Sequence, residues 1–375
     1  MHNTAPETAP DALPRRGRPQ LINKGRGTIG NASGRFEPVT RHPIDDGWGH
    51  PFRNGEIEPP LKTTVSIDRS RTIIAKNESP DIGFEQSINP YRGCEHGCTY
   101  CFARPTHAWL GLSPGLDFES RLFAKPDAPA LLRKELADKS YRCRPIAMGT
   151  NTDPYQPIER DYRITRRILS VLSDCGHPVT IVTKSAMVLR DLDILGPMAM
   201  RGLVKVSLSV TTLDRGLARR LEPRASTPVR RLEAIAALRA AGVPVGVMAA
   251  PMIPALNDCE LESIIEAAAS AGASEAGYIL LRLPLEIKAL FADWLQTHVP
   301  GKAKHVLNLV RETRGGKLYE SGFGKRMVGQ GPYAELLKAR FTKACRRQGL
   351  NERRFELDTS QFEPPMPNAG QLTFL

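Results

Sequence analysis

Short apolar runs and segments with helical spacing alternate along the chain from about residue 84 onward. Six runs predict β-strands, at residues 84–88, 145–148, 179–183, 203–210, 243–249 and 278–281. Between them, residues 128–136 and 164–172 have the apolar spacing of amphipathic helices. Thr227 and Pro228 predict the start of a further helix that closes at Gly242. Asn257 and Glu260 fit a capping box for a helix that runs to Ser270.

This alternation predicts the fold class. Strands that alternate with helices indicate a parallel sheet with right-handed crossovers. Six units are fewer than the eight of a closed barrel, so we expect an α/β fold built as an open, partial (β/α)6 barrel of the TIM type. In such folds the loops that follow the strands meet at one end. The loops after the first three predicted strands should therefore converge there.

The segments on either side of this pattern differ from it in composition. Residues 1–75 are rich in Pro, Gly, Asn and Arg and lack periodicity, which predicts an irregular, basic N-terminal extension. The barrel should occupy residues 76–285. Residues 286–375 should form a helical, basic C-terminal region with a Pro-rich, flexible tail. The packed face of one helix there is predicted to contain Tyr333, Leu336, Leu337, Phe341 and Ala344.

Composition and charge narrow the class of protein. The first ten residues are polar and do not resemble a signal peptide. The most apolar stretch, residues 240–256, contains Pro244, Pro251 and Pro254, so a buried strand is a better interpretation than a membrane span. We expect a cytoplasmic protein that does not enter a membrane. The net charge of +12 favours binding to DNA or RNA, although a solvated basic surface has the same composition.

Three of the seven cysteines lie close together in the sequence, at Cys94, Cys98 and Cys101. In a reducing compartment such a cluster indicates metal binding rather than disulfide bonding. A structural zinc ion usually has four protein ligands, and the fourth would have to be His96 or His107. Three cysteines on a four-iron cluster instead leave one iron open to bind a further molecule.

The motif around these cysteines resembles a known family. The spacing Cys94, Cys98, Cys101, with Tyr100 before the last cysteine, resembles the signature of the radical SAM superfamily, whose members use S-adenosylmethionine (SAM). Residues 87–94 and 100–105 resemble the branch that contains spore photoproduct lyase and related predicted DNA-repair lyases. The resemblance spans about residues 84–284.

The resemblance implies a mechanism and its cofactors. These are a [4Fe–4S] cluster on the three cysteines, SAM bound to the open iron, and a reductant such as flavodoxin or ferredoxin. The reduced cluster cleaves SAM into methionine and a 5′-deoxyadenosyl radical, which abstracts a hydrogen atom from the substrate. The cofactors perform the difficult chemistry, and the protein positions them and excludes water and oxygen.

The resemblance also implies contacts to SAM. The candidate residues are Tyr100, Asn151, Asp153, Lys184, Ser209 and Arg224. Tyr100 stands where the family has an aromatic residue near the adenine, and Asp153 suits the cationic ammonium of SAM. Lys184 and Ser209 resemble a SAM-contacting lysine and a serine that reaches the ribose. Arg224 lies in a Glu-Pro segment and could meet a carboxylate or a phosphate.

One difference from spore photoproduct lyase concerns the substrate. That enzyme has a hydrogen-donor cysteine at the end of the second strand, whereas the matching place here falls near Met148 and Gly149. Cys143 lies before the strand. We therefore do not expect repair of the same thymine lesion, and we assign no catalytic side chain.

The last five residues suggest a partner. Gln371, Leu372, Phe374 and Leu375 resemble the short peptide with which bacterial repair proteins dock on the sliding clamp. A tail that docks on its own domain is the alternative.

Three functions fit these observations. The first is a radical SAM enzyme that acts on DNA or RNA. The second is a radical SAM enzyme that modifies a peptide or a small molecule. The third is a zinc-stabilised nucleic-acid-binding protein without enzymatic activity, which would be colourless and would not cleave SAM.

Overall fold

The computed structural model describes residues 24–40, 61–353 and 355–366, in which strands and helices alternate. The strands are β1 (Thr64–Ile67), β2 (Ile74–Lys76), β3 (Gln86–Ile88), β4 (Tyr91–Arg92), β5 (Arg121–Ala124), β6 (Ile146–Met148), β7 (Val179–Thr183), β8 (Val204–Ser209), β9 (Val245–Met252) and β10 (Glu275–Leu280). The α-helices are α1 (Asp117–Ser120), α2 (Ala128–Leu136), α3 (Glu159–Tyr162), α4 (Ile164–Asp174), α5 (Leu192–Met200), α6 (Arg215–Leu221), α7 (Pro228–Ala240), α8 (Leu261–Ser270), α9 (Ile287–His298), α10 (Pro300–Glu312) and α11 (Pro332–Arg347). Short 3₁₀ helices cover Arg104–Leu110, Ala186–Asp191 and Asp258–Glu260.

The larger sheet contains all six predicted strands. They lie side by side in chain order and run parallel, as β3, β6, β7, β8, β9 and β10. β2 adds an antiparallel strand next to β3. The observed strand ends differ from the predicted ones by at most three residues. The prediction of a mixed α/β fold with a parallel sheet is therefore confirmed, and the carboxyl ends of the six strands lie along one edge.

A second sheet of three strands has the order β1, β5, β4. β1 runs parallel to β5, with Thr64 opposite Arg121. β1 lies inside the segment 1–75 that we expected to be irregular. The sequence does not predict β1, because this strand is short and mostly exposed and its residues do not alternate between buried and exposed positions.

The helix start signals had mixed outcomes. The side chain of Thr227 accepts a hydrogen bond from the Arg230 N–H, and Pro228 is the first residue of α7, as predicted. The prediction of a capping box formed by Asn257 and Glu260 is wrong. Asn257 Oδ1 instead accepts from the Ile253 N–H at 2.6 Å, and its Nδ2 donates to the Thr211 carbonyl at 2.6 Å. The carboxylate of Glu260 accepts from the loop after β8.

The C-terminal region contains α9, α10 and α11. In α11 the side chains of Leu337 and Ala344 are buried, but Leu336 is 58% exposed, so its predicted place on the packed face is wrong. Leu336 is turned about 100° around the helix from Leu337, which points it to solvent. Among the described residues, no helix has the length and apolar character needed to cross a membrane. The predicted clamp-binding residues 371–375 lie outside the described part of the chain.

Candidate functional site

The three clustered cysteines lie in the loop between β4 and the 3₁₀ helix Arg104–Leu110 and have free thiols. Cys94 and Cys98 are buried, and Cys101 is partly exposed. Burial raises the pKa of the Cys94 thiol well above its ordinary value, and negative charge on Asp153, Cys98 and Cys101 raises it further. Burial also raises the pKa of Cys98 and Cys101. Because thiolates are unfavourable here without a nearby cation, the loop is suited to a positively charged metal centre.

The separation of the ligands bears on which metal centre fits. Among the described residues, no three His, Cys, Asp or Glu side chains converge closely enough to hold one metal ion. A tetrahedral zinc ion holds each sulfur about 2.3 Å from itself, so its ligands must lie close together. In a four-iron cluster each cysteine binds a different iron, which allows wider spacing. The loop supplies three free thiols, which are the soft ligands that an iron–sulfur cluster binds.

The two histidines that could complete a zinc site make other contacts. His96 Nδ1 lies 3.3 Å from Asp153 Oδ2. His107 Nε2 lies 2.9 Å from the Arg121 carbonyl, and its ring packs edge-on against Phe118. Burial lowers the pKa of His107 to about 4, so this ring is neutral at pH 7. His107 thus belongs to the packing beneath the loop.

Two glycines and a buried arginine shape the cysteine loop. Gly93 and Gly97 have φ angles of +74° and +69°, which glycine adopts more readily than other residues. A Cβ atom on Gly97 would lie 2.8 Å from Glu119 Oε2. Arg104 is fully buried; its Nε donates to the Cys98 carbonyl at 2.8 Å and its Nη2 to Glu119 Oε1 at 2.5 Å. These contacts fix the path of the backbone that carries the thiols.

An N-terminal segment, residues 26–28, packs against this loop and is itself buried. The backbone N–H groups of Gly27 and Thr28 donate to the Glu119 carboxylate at 2.8 and 3.0 Å. Thr99 Oγ1 donates to the Gly27 carbonyl at 3.0 Å. A Cβ on Gly27 would lie 1.7 Å from the Gly97 carbonyl oxygen, so the two backbones touch. Sequence reasoning missed this contact, because no periodic pattern marks residues 26–28.

Three of the candidate SAM-contacting residues lie together. Lys184 directly follows β7, and Ser209 is the last residue of β8. Lys184 Nζ donates to Ser209 Oγ at 2.6 Å and lies 5.8 Å from the centre of the Tyr100 ring. These side chains come from two neighbouring strand ends and the cysteine loop. The predicted convergence at the carboxyl edge of the sheet is therefore observed for them.

Glu222 connects these three side chains. Its buried carboxylate accepts hydrogen bonds from the hydroxyls of Tyr100 and Thr211 and from the guanidinium of Arg231, and it lies 3.5 Å from Lys184 Nζ. Burial alone would raise the pKa of Glu222, but the charges of Arg231 and Lys184 lower it to about 2. The carboxylate is therefore ionised at neutral pH.

Sequence reasoning noted the Glu-Pro segment but selected Arg224 rather than Glu222. The available signal was a carboxylate between apolar Leu221 and Pro223, with Arg231 nine residues later.

Asp153 lies at the same edge. Oδ1 accepts from Thr183 Oγ1 at 2.7 Å and from the Tyr155 N–H at 2.9 Å, while Oδ2 accepts from the Lys184 N–H at 2.8 Å. Burial would raise the pKa of Asp153, but His96 and these donors outweigh it, and the pKa is lowered. The carboxylate is thus fixed between the cysteine loop and the end of β7.

The other two candidates lie elsewhere around this edge. The backbone N–H of Asn151 donates to Asn89 Oδ1 at 3.0 Å. Arg224 Nη2 lies 3.2 Å from Glu95 Oε1, and the Arg224 N–H donates to the His96 carbonyl. Neither residue joins the group around Glu222 through a hydrogen bond or ion pair found in the described structure.

A cavity of about 530 Å³ opens beside His96. It is lined by four arginines, Arg160, Arg190, Arg224 and Arg230. Arg190 forms ion pairs with Glu159 and Asp191. Arg224 pairs with Glu95, and Arg230 pairs with Glu233. Arg160 forms no ion pair within the described ranges. The cavity therefore carries positive charge close to the cysteine loop.

The structure agrees with the expected absence of a cysteine at the end of β6. Met148, the last residue of that strand, is fully buried, and Gly149 packs against the Val182 backbone. Cys143 lies three residues before β6 begins, at the opposite end of the strand. The thiol of Cys143 is therefore remote from the edge that carries Lys184 and Ser209.

Comparison with known proteins identifies the family. The model of the radical SAM superfamily matches residues 88–268. An uncharacterized protein of Mycobacterium tuberculosis is 38% identical over 242 residues, which cover 63% of this chain and 71% of that protein. An uncharacterized protein of Methanocaldococcus jannaschii is 31% identical over 179 residues, which cover 48% of this chain and 64% of that protein.

Solved structures share the fold. Spore photoproduct lyase complexed with dinucleoside spore photoproduct superposes with a TM-score of 0.54 and 19% identity, over 76% of this chain and 80% of that one. A variant of the same enzyme with bound AdoMet gives 0.53 at 19% identity over the same shares. The sequence match and the shared fold agree with the cysteine motif. The chain belongs to the radical SAM superfamily, whose cofactors are a [4Fe–4S] cluster and SAM.

Proposed function

We propose that this chain is a radical SAM enzyme that acts on nucleic acid. In this proposal Cys94, Cys98 and Cys101 hold the cluster at the mouth of a partial (β/α)6 barrel formed by the six parallel strands. The observation that carries it is the group of Tyr100, Lys184 and Glu222, whose charged members lie close enough to Cys98 to alter its pKa.

The side chains around the thiols have distinct roles in the proposal. When bound, the cluster and SAM supply reductive C–S bond cleavage and a 5′-deoxyadenosyl radical. Lys184 and Ser209 present an ammonium and a hydroxyl at adjoining strand ends, where they can hydrogen-bond to SAM. Glu222 accepts the Tyr100 hydroxyl proton in a hydrogen bond, which fixes the ring as a flat apolar surface beside Cys98.

Asp153 stays a predicted contact to the SAM ammonium. A carboxylate has about four acceptor positions, and here they face Thr183, Tyr155, Lys184 and His96. The SAM ammonium can therefore bind the Asp153 carboxylate only if it replaces one of these four donors. The His96 contact, at 3.3 Å, is the longest of the four. Asn151 and Arg224 stay predicted SAM contacts of the same edge.

Charge and fold support nucleic acid as the substrate class. The chain carries a net charge of +12, and the arginine-lined cavity lies next to the cysteine loop. One of the spore photoproduct lyase structures was solved with dinucleoside spore photoproduct, and this chain shares its fold. Phosphate neutralisation by Lys and Arg makes such binding weaken steeply as salt increases.

The cluster is tested with the full chain, purified and reconstituted without oxygen. Alanine variants of Cys94, Cys98 and Cys101 should lose the brown chromophore and most of the bound iron. The matched control is Cys259→Ala, because Cys259 is an exposed free cysteine that does not belong to the cysteine loop. A colourless wild-type protein with one bound zinc ion per chain would contradict the proposal.

Activity and substrate are tested separately. With SAM and dithionite in place of the flavodoxin or ferredoxin that we predict as reductant, the wild-type protein should release 5′-deoxyadenosine. Binding to DNA and RNA oligonucleotides should fall with increasing salt. SAM cleavage without any salt-dependent binding would leave the superfamily assignment intact and reject nucleic acid as the substrate.

A further inference from the structure

Two pairs of an arginine and an aromatic ring lie at the surface, and one of them includes the residue that follows Cys101. Arg282, which follows β10, has its guanidinium carbon 5.0 Å from the centre of the Phe102 ring. Phe102 directly follows Cys101 and is 46% exposed. In the second pair, the guanidinium of Arg35 lies 5.3 Å from the centre of the Phe36 ring. Both arrangements leave aromatic surface open to solvent.

Trp109 extends this surface. Its ring centre lies 4.4 Å from that of Phe36, and the two rings are tilted by 32°. The Trp109 side chain is 71% exposed and that of Phe36 is 48% exposed. Contiguous exposed apolar surface is uncommon on soluble proteins and marks interaction sites. A stacked and exposed aromatic pair therefore calls for a partner with flat, apolar groups.

Short segments of the chain join the two pairs. The 3₁₀ helix Arg104–Leu110 runs from the neighbourhood of Phe102 to Trp109. On the other side, Glu286 follows Arg282 by four residues and accepts a hydrogen bond from Arg35 Nε at 2.6 Å. The two pairs are thus connected through short chain segments, and Phe102 of the first pair directly follows Cys101. We call the exposed aromatic rings and their arginines the aromatic face, and its residues are Arg35, Phe36, Phe102, Trp109 and Arg282.

Arg282 brings a positive charge to the aromatic face. Its Nη1 donates to the thioether of Met327 at 3.4 Å, and its buried Nε has no hydrogen-bond partner. No carboxylate in the described segments forms an ion pair with Arg282. Burial lowers the pKa of the Arg314 guanidinium, and the positive charge of Arg282 lowers it further, so a second cation lies near Arg282. Arg314 also forms no ion pair in the described segments. An unpaired guanidinium at this position favours an anionic group such as a phosphate.

We propose that the aromatic face binds single-stranded or locally unpaired nucleic acid. Bases stack on the Phe36–Trp109 pair and on Phe102, and a backbone phosphate lies at Arg282. Stacking tolerates any sequence because every base has a π face, and those faces are hidden in an intact duplex. The proposal rests on the proposed function and adds where the nucleic acid lies and in which form it is bound.

Binding of labelled oligonucleotides to the reconstituted full chain tests this, by fluorescence anisotropy with a single strand and with a duplex of the same sequence. Trp109→Ala should weaken single-strand binding about tenfold, whereas Trp109→Tyr, which keeps a stacking ring, should stay within about twofold. Arg282→Gln should weaken binding and reduce its salt dependence. Met200→Ala is the matched control, because Met200 is an apolar side chain on α5 that is 84% exposed.

Several results would overturn the proposal. Equal single-strand affinity of Trp109→Ala and wild type would reject the aromatic face, and so would duplex binding as tight as single-strand binding. Thermal unfolding checks that each variant is folded. If Trp109→Ala does not fold, Phe36→Ala tests the contribution of the same pair of rings. The failure of the proposed function would be recognised by a different result: the wild-type protein would bind no iron or would release no 5′-deoxyadenosine. If the wild-type protein cleaves SAM but binds neither single-stranded nor duplex nucleic acid, both the role of the aromatic face and the proposed substrate class are rejected.

Discussion

Lys184 Nζ donates a hydrogen bond to Ser209 Oγ at 2.6 Å, which joins the carboxyl ends of two neighbouring parallel strands. The ammonium also faces the carboxylate of Glu222 at 3.5 Å. One lysine thus links β7, β8 and, through Glu222, the Tyr100 ring of the cysteine loop. In the proposed function this arrangement is the polar part of the SAM site.

Lys184→Met should therefore weaken SAM binding without removing the cluster. A hydrogen bond to a charged group contributes about 1.5–3 kcal/mol, so we expect the SAM dissociation constant to rise about 10- to 100-fold. Equilibrium dialysis of the reconstituted protein measures this, with iron content as a second readout. Lys205→Met is the control, because Lys205 on the same strand pair has a carboxylate partner, Glu275, at 2.8 Å. Equal SAM affinity of both variants would exclude Lys184 from the site.

Glu222→Gln should destabilise the fold. The change leaves buried Arg231 and partly buried Lys184 without their shared anion, and loss of one partner of a buried ion pair costs about 3–5 kcal/mol. Urea unfolding of wild type and variant measures the difference in the free energy of unfolding. The matched control, Glu233→Gln, breaks an exposed pair with Arg230 and should cost less than about 1 kcal/mol. Similar losses for the two variants would show that the buried pair contributes little.

The same glutamate predicts a pH dependence. The pKa of Glu222 is about 2 in the folded chain and 4.5 in its ordinary state, so the unfolded chain binds more protons between these values. The contribution of Glu222 is then fully present above pH 4.5 and is lost as the pH falls toward 2. The difference in unfolding free energy between wild type and Glu222→Gln should shrink over this interval. A difference that stays constant from about pH 6 to about pH 3 would contradict the assigned ionisation.

Gly97→Ala should disturb the cysteine loop. A side chain at a left-handed φ costs about 1–2 kcal/mol, and the new Cβ would also lie 2.8 Å from Oε2 of the Glu119 carboxylate, which Gly27 and Arg104 hold in place through its two oxygens. Gly111→Ala is the control, since Gly111 has a φ of +65° but open space where the added methyl group would lie. We expect Gly97→Ala to retain less iron and to unfold more easily than Gly111→Ala. Indistinguishable variants would mean that the loop adapts to the added methyl group.

Local patterns in the sequence were sufficient to predict the strands of the larger sheet. Buried parallel strands such as β7 and β8 are rich in β-branched residues, and the helices between them have one apolar face, so periodicity found all six. The positions of Lys184 and Ser209 at the ends of two strands could be predicted for the same reason. The spacing of the three cysteines indicated a metal centre. The SAM contacts of Tyr100, Lys184 and Ser209 came only from the family resemblance and stay predictions.

Contacts between distant parts of the chain could not be predicted in this way. Glu119 binds Gly27 and Thr28 from more than 90 residues away, and no local signal marks either partner. Asn257 and Glu260 have the spacing of a capping box, yet their side chains satisfy backbone groups in other loops, which outweighs the local helix preference. The second sheet likewise depends on pairing between β1 and β5, far apart in sequence.

The docked segment of residues 26–28 makes the cysteine loop depend on a distant part of the chain. Gly27 touches the Gly97 backbone, and Glu119 accepts hydrogen bonds from the backbone N–H groups of Gly27 and Thr28. The backbone that carries the thiols is therefore braced from outside its own segment, so a larger side chain at position 27 should alter the geometry of the thiols although it lies far from them in the sequence.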